Sequence, residues 1–207
     1  MTTSIADIMR TAPVIPVLVI DDAAHARPLA EALVKGGLRV LEVTLRTGAA
    51  IEAIAEMKKV EGAIVGAGTV VNTEQFKQVM DADVEFIVSP GLTERLGQPI
   101  VASGVPFLPG IANAGDIMRG LDLGLGHFKF FPAMTSGGLP ALKALSGPFG
   151  GVRFCPTGGI TLANAAEWLA FDPVLCVGGT WIVPKGQPDE ASIEAAARTA
   201  SGLRSAG

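Results

Sequence analysis

The feature that most constrains this chain is a repeated alternation. Short apolar runs, each followed by a longer amphipathic stretch, recur along almost all 207 residues. A short apolar run bounded by turn residues reads as a buried strand, and apolar residues spaced three and four apart read as a helix. The predicted strands cover about 14–20, 38–45, 62–67, 85–89, 105–109, 126–131, 152–156 and 174–177. The predicted helices cover about 22–35, 48–58, 72–81, 92–103, 112–123, 137–146, 161–170 and 189–203. Successive strands lie about 20–25 residues apart, the length of a βα unit. Eight such units in about 200 residues predict an α/β fold, a compact (β/α)8 TIM barrel that forms one domain over residues 1–207. An extra N-terminal helix over 4–10 would lie over one barrel end. The alternative is an open doubly wound sheet, which usually has fewer strands. That alternative also lacks its early Gly-x-Gly-x-x-Gly turn here.

Local signals refine the pattern. Asp22 can cap the first long helix and Gly36-Gly37 can end it. Pro28 lies where it should kink that helix or delay its start. Thr161 and Asn164 stand at the start of another helix. Hydrophobic residues make up 49% of the chain and charged residues 17%, yet no apolar run reaches the roughly 20 residues that span a bilayer. The apolar content therefore points inward, as in parallel strands buried on both faces. The start Met1-Thr2-Thr3-Ser4 has no basic stretch leading into an apolar one, so no signal peptide is expected and the place is cytoplasmic. Cys155 and Cys176, inside apolar runs, are expected to be free, buried thiols. Two cysteines and two histidines, His25 and His127, are too few for a zinc or His-rich site, and no cofactor is expected. His25 is expected to be exposed, and His127 to sit at the core edge or barrel bottom. A net charge of −4 without Lys/Arg clusters argues against nucleic acid.

Strand parity says which side chains face the barrel interior, because alternate residues point to opposite sides. From Val40 to Arg46, one face carries Val40, Glu42, Thr44 and Arg46, and the other carries Leu41, Val43 and Leu45. The apolar set belongs under the helices, so the interior receives Glu42 and Arg46. From His127 to Phe131, Lys129 shares a face with His127 and Phe131, and Phe128 and Phe130 oppose it. Val65, Ala67 and Thr69 share one face, and Arg153, Cys155 and Thr157 share another. A carboxylate, a guanidinium, an amine and two hydroxyls thus converge on one interior, several of them at strand C-terminal ends, where barrel enzymes place their chemistry.

These residue types suit one kind of reaction. A lysine desolvated beside Phe130 and Phe131 is readier to act as a neutral amine. It can attack a ketone and form an iminium, an electron sink for breaking the C–C bond beyond it. Each half of that cycle moves a proton, which a carboxylate such as Glu42 can carry. The planar fork of Arg46 suits the carboxylate of a keto acid. On the residues alone, Lys129 and Glu42 are equally readable as a buried structural ion pair. Thr157-Gly158-Gly159 follows the seventh predicted strand and Gly178-Gly179-Thr180 the eighth. Loops at those positions commonly hold phosphate through backbone N–H groups and a helix N-terminus. Two rival functions stay open. A sugar-phosphate epimerase or isomerase needs no lysine at 129, and a non-catalytic metabolite-binding barrel needs no Glu42 and Lys129 aimed at each other.

Five segments carry a resemblance. They are Leu41-Glu42-Val43-Thr44-Leu45-Arg46, Gly66-Ala67-Gly68-Thr69-Val70, Ser89-Pro90-Gly91-Leu92-Thr93, Phe128-Lys129-Phe130-Phe131-Pro132 and Arg153-Phe154-Cys155-Pro156-Thr157-Gly158-Gly159-Ile160. From about Val14 to Pro184 the chain resembles the 2-keto-3-deoxy-6-phosphogluconate aldolases, which also act as 4-hydroxy-2-oxoglutarate aldolases. The resemblance implies a metal-independent class I aldolase on a (β/α)8 barrel, a homotrimer, yielding pyruvate and glyceraldehyde 3-phosphate as in the Entner–Doudoroff pathway. It implies Lys129 as the Schiff-base residue, Glu42 as the proton carrier, and Arg46 and Thr69 as keto-acid contacts. Further substrate contacts fall on Pro90 and Phe131. Thr157 is linked to stereochemical control, and Gly158, Gly159, Gly179 and Thr180 to the phosphate. The family often has serine where this chain has Thr180, which keeps the hydroxyl. Relatives acting on the galactonate epimer look less similar, because they lack the Phe-Cys-Pro-Thr-Gly-Gly pattern.

Overall fold

Nearly every predicted strand and helix has a counterpart, and the strands pair only in parallel. The structure, a computed structural model, describes residues 4–184 and 189–203. Met1 to Thr3 of the start, and the last residues of the expected 1–207 domain, lie outside the described residues. The strands are β1 Val14–Leu18, β2 Val40–Thr44, β3 Ile64–Gly68, β4 Phe86–Val88, β5 Phe107–Leu108, β6 Gly110–Ile111, β7 His127–Phe130, β8 Arg153–Pro156 and β9 Val177–Gly179. The helices are α1 Ile5–Arg10, α2 Ala26–Lys35, α3 Ala50–Met57, α4 Thr73–Asp81, α5 Glu94–Ser103, α6 Ala114–Asp122, α7 Gly138–Ser146, α8 Leu162–Leu169 and α9 Glu190–Ser201. Among the described residues, none of these helices is long and apolar enough to cross a membrane.

The strands form a six-stranded sheet ordered β5-β4-β3-β2-β1-β9 and a three-stranded sheet ordered β6-β7-β8. β5 and β6 are the two halves of one extended segment interrupted at Pro109, which has no N–H to give to a ladder. The first half pairs with β4 and the second with β7. Past the end of β8, a bridge pairs Thr157 with Gly178 in β9.

Most helices start on the polar residues that precede them. Asn72, Thr93, Asn113 and Asp189 each accept a hydrogen bond from a backbone N–H of the first turn. Ser4 with Asp7, and Thr161 with Asn164, form reciprocal capping boxes. Asp22 does cap, but it opens a 3-10 turn over Ala23–His25, and α2 begins only at Ala26. Pro28 then falls in the first turn of α2, where its missing N–H breaks no helical bond. His25, expected to be exposed, is half-buried in this turn.

Two apolar layers follow from strand parity. Leu41, Val43, Val65, Ala67, Phe128, Phe130 and Phe154 pack with helix residues such as Ile54 and Trp168. Ile15, Val40, Phe86, Val88, Leu108, Cys155 and Cys176 form a second cluster with Ile8 and Met9 of α1. Both cysteines are free and buried. The hydrogen bond with Cys155, and then burial, hold the Cys176 thiol well above the ordinary thiol range.

One boundary differs from the expectation. The last strand runs over Val177–Gly179 rather than 174–177, so Gly178 and Gly179 lie in the strand and not in a loop after it. Both pair with β1. Glycine is there for want of space: a Cβ on Gly178 would lie 2.2 Å from Thr157 Oγ1, and one on Gly179 would lie 2.0 Å from the Trp181 ring.

Candidate active site

Lys129 lies in β7, between Gly110 of β6 and Cys155 of β8 in register. Glu42 lies in β2, opposite Val17 of β1 and Gly66 of β3. Parity sends both side chains inward, and there they meet: Lys129 Nζ donates to Glu42 Oε1 at 2.9 Å. The two residues are 6% and 3% exposed, respectively, so this is a buried ion pair. The ammonium also stands 5.5 Å from the centre of the Phe131 ring. Glu42 has room because of Gly68, whose added Cβ would lie 2.3 Å from Glu42 Oε1.

The pair lies in the wall of a cavity of about 210 Å³. Glu42, Arg46, Thr69, Pro90, Lys129, Phe131, Thr157, Gly158, Gly159 and Thr180, all singled out from sequence, line that cavity. Gly179 does not; the lining glycine of β9 is its neighbour Gly178. Sequence reasoning also passed over Thr44, Val17 and Ile160. For Thr44 the signal was present, since it shares the β2 face of Glu42.

Thr69 reaches the cavity by a different route from the one expected. Its parity partners Val65 and Ala67 pack on the helix side, which would put Thr69 there too. Thr69 instead adopts the left-handed backbone region, with φ 61°. That turn ends the strand alternation after Gly68 and swings the side chain back over the strand end. For a β-branched residue this backbone is unusual and strained.

Arg46 follows β2 at the mouth of the cavity. Its Nε donates to Thr44 Oγ1 at 3.1 Å, and Thr44 Oγ1 in turn donates to the Leu18 carbonyl at 2.7 Å. On the opposite wall, Gly158 and Gly159 have φ of 101° and 78°. A side chain would be strained at either position. Ala133 N donates to Thr157 O at 2.8 Å and Met134 N to Gly158 O at 3.0 Å, so this loop is laced to the chain after Phe131. The N-terminus of α8 follows directly, and the exposed Thr180 stands at the same mouth. The charged groups lining the cavity are one carboxylate and two cations, a balance that favours an anionic ligand. Among the described residues, no group of three or more His, Cys, Asp or Glu could hold a metal ion. His127 starts β7 and is half-buried away from the cavity. Burial, and then the charges of Arg10 and Arg153, lower its pKa.

A buried amine in contact with a carboxylate, beneath an arginine on one side and a glycine-rich helix entry on the other, can form an imine with an anionic ketone. It can also move protons beside that imine. Comparisons with known proteins bear on this arrangement. The family model described as KDPG and KHG aldolase matches residues 5–196. A 2-dehydro-3-deoxy-phosphogluconate aldolase of Zymomonas mobilis is 59% identical over 98% of this chain and 97% of its own length. The crystal structure of the 2-keto-3-deoxy-6-phosphogluconate aldolase of Zymomonas mobilis ZM4 with 3-phosphoglycerate superposes with a TM-score of 0.97 at 58% identity, covering 100% of this chain and 99% of that one. That of the KDPG aldolase from Legionella pneumophila, with pyruvate captured at low pH as a covalent carbinolamine intermediate, gives 0.94 at 44% identity. It covers 98% of this chain and 100% of that one.

Proposed function

This chain belongs to the KDPG and KHG aldolase family, and we propose that Lys129 is the amine through which it works. It is a Schiff-base aldolase that cleaves 2-dehydro-3-deoxy-6-phosphogluconate to pyruvate and D-glyceraldehyde 3-phosphate, and it acts on 4-hydroxy-2-oxoglutarate. The observation that carries the residue assignment is the buried 2.9 Å contact of Lys129 Nζ with Glu42 Oε1 inside the cavity.

The contact gives the ammonium a place to put its proton. Lys129 passes it to Glu42, and the neutral amine attacks the substrate's C2 carbonyl. Glu42 returns that proton to the carbinolamine hydroxyl, which leaves as water to form an iminium and restores the carboxylate. Glu42 takes the proton of the C4 hydroxyl as the C3–C4 bond breaks, and that electron pair moves into the iminium to leave an enamine and the aldehyde. Reprotonation of the enamine carbon and hydrolysis release pyruvate and the free lysine. Arg46 and Thr69 hold the keto acid's carboxylate, Pro90 and Phe131 shape the wall around the imine, and Thr157 faces the carbon that becomes the aldehyde. Gly158, Gly159 and Thr180 receive the phosphate. Gly179 serves that end through β9, by leaving room for Trp181.

Several finer statements belong to the same proposal. The two sheets are one closed (β/α)8 ring forming a single domain over 1–207. The fifth segment's pairing on both sides supports closure, as does the Thr157–Gly178 bridge. α1 is the extra helix that plugs the ring's lower end with Ile8 and Met9. The protein works in the cytoplasm as a homotrimer, whose interface would cover exposed apolar side chains such as Met118 and Leu121 of α6.

A cleavage assay on the phosphorylated substrate tests the assignment. Lys129→Ala is expected to lose essentially all pyruvate release while keeping the far-UV circular dichroism of the parent. Retained turnover in that variant would overturn it.

A further inference from the structure

We propose that Thr44 is a positioning residue: its hydroxyl fixes the orientation of the Arg46 guanidinium and thereby presents two free N–H edges to the substrate's carboxylate. The proposal rests on the reading of Arg46 as the carboxylate anchor. It concerns a different residue and a separable effect.

A threonine hydroxyl has one proton to give and lone pairs to accept with. The Leu18 carbonyl can only accept, so the 2.7 Å contact from Thr44 Oγ1 uses that proton. The oxygen is then left as an acceptor facing Arg46. A guanidinium can only donate, and its Nε does so at 3.1 Å. The polarity of the chain from Arg46 through Thr44 to Leu18 therefore runs one way. Leu18 ends β1 and Thr44 ends β2, next to each other in the sheet, so the anchor is as rigid as the sheet. The inner end of the link is buried, with Thr44 1% exposed, while Arg46 itself reaches the exposed cavity mouth. The Arg46 backbone is tied to the same residue, its N–H donating to the Thr44 carbonyl at 2.8 Å.

What remains free is informative. With Nε engaged, the Nη1 and Nη2 groups of Arg46 have no partner among the described residues, and the side chain lines the cavity. A planar carboxylate matches that pair of parallel N–H groups. An arginine at a strand end otherwise spreads over many rotamers, and binding must then restrict them. Thr44 removes most of that freedom before the ligand arrives. The substrate class selected is a 2-oxo acid over a neutral ketone, because a ketone without the carboxylate has nothing for the fixed edge to hold.

The test compares Thr44→Val, which keeps the shape and removes the acceptor, with Thr44→Ser, which keeps the hydroxyl. Each is measured alone and combined with Arg46→Gln, with pyruvate and acetone as probes and borohydride-trapped imine as the readout. Thr44→Val is expected to raise the half-saturating pyruvate concentration about tenfold, the size expected for losing one hydrogen bond to a charged group. Acetone trapping should be unchanged, and Thr44→Ser should behave like the parent. In the Arg46→Gln background, Thr44→Val should add nothing further, because the two act as a unit. If Arg46→Gln weakens pyruvate but Thr44→Val does not, the positioning role is wrong while the anchor stands. Equal harm by Thr44→Val to pyruvate and acetone, or harm that persists without Arg46, also overturns it. If Arg46→Gln leaves pyruvate trapping intact, the anchor assignment itself fails.

Discussion

At the scale of single residues, the Lys129–Glu42 pair is more readily explained by chemistry than by stability. Bringing two charges into a dry interior costs several kcal/mol per ion, and their attraction need not offset it. Removing one partner leaves the other charge buried alone, at about 3–5 kcal/mol. Lys129→Ala is therefore expected to lower Tm. The double variant Lys129→Met/Glu42→Leu should instead match or exceed the parent in thermal unfolding while releasing no pyruvate. A double variant markedly less stable than the parent would mark the pair as structural. The pair was legible in the sequence because β2 and β7 are regular where they carry it, so parity holds. Thr69 was not legible in the same way. The sequence put it inward on the face of Val65 and Ala67, but those two pack on the helix side, and only its left-handed backbone brings it over the cavity. No pattern of apolar residues encodes a single φ. Thr44 was legible and passed over, since a threonine on an inward face is ordinary until its hydrogen bonds are counted.

At the scale of elements, strand ends do most of the positioning. The β8–α8 turn carries two positive-φ glycines that line the cavity and then a capping box that opens α8. The end of β9 contributes differently. Its glycines are strand residues held against Thr157 and Trp181, so a charged residue at Gly179 would disturb the strand before it touched a ligand. Thr180, exposed at the mouth, is the better probe. Thr180→Asp places a like charge beside the phosphate and is expected to raise KM for the phosphorylated substrate at least tenfold, while leaving pyruvate imine formation near the parent level. Equal damage to both would place the phosphate elsewhere. The sequence showed eight strand-like runs but drew the last one early, because two successive glycines read as a turn. It also could not show Pro109 dividing the fifth segment between two neighbours, since pairing partners are set by the whole fold.

At the scale of the whole molecule, the two ends do different work. The strand C-terminal ends carry the cavity. Towards the other end, Ile8 and Met9 of α1 pack with Ile15, Val40 and Phe86, with His127 and Arg10 nearby. His127 has a lowered pKa in the fold, caused first by burial and then by its cationic neighbours. The unfolded chain therefore binds the proton more readily, and stability falls as pH drops below about 6.5, the ordinary histidine value. The loss levels off once pH passes below the folded-state pKa. His127→Phe is expected to flatten this part of the Tm-against-pH curve and to leave cleavage activity above pH 7 nearly unchanged. A curve as steep as the parent's would assign the acid sensitivity to other groups.

In the proposed mechanism, catalysis runs through an imine on Lys129, and Glu42 moves the protons. Peptide mapping by mass spectrometry after incubation with pyruvate and borohydride locates that imine. One reduced pyruvate adduct is expected, on the peptide carrying Lys129, in the parent and in Glu42→Gln. Deuterium exchange into the pyruvate methyl group is expected to fall by about 10²–10⁴-fold in Glu42→Gln. An adduct on Lys35 or Lys143, or exchange at the parent rate without Glu42, would contradict that mechanism.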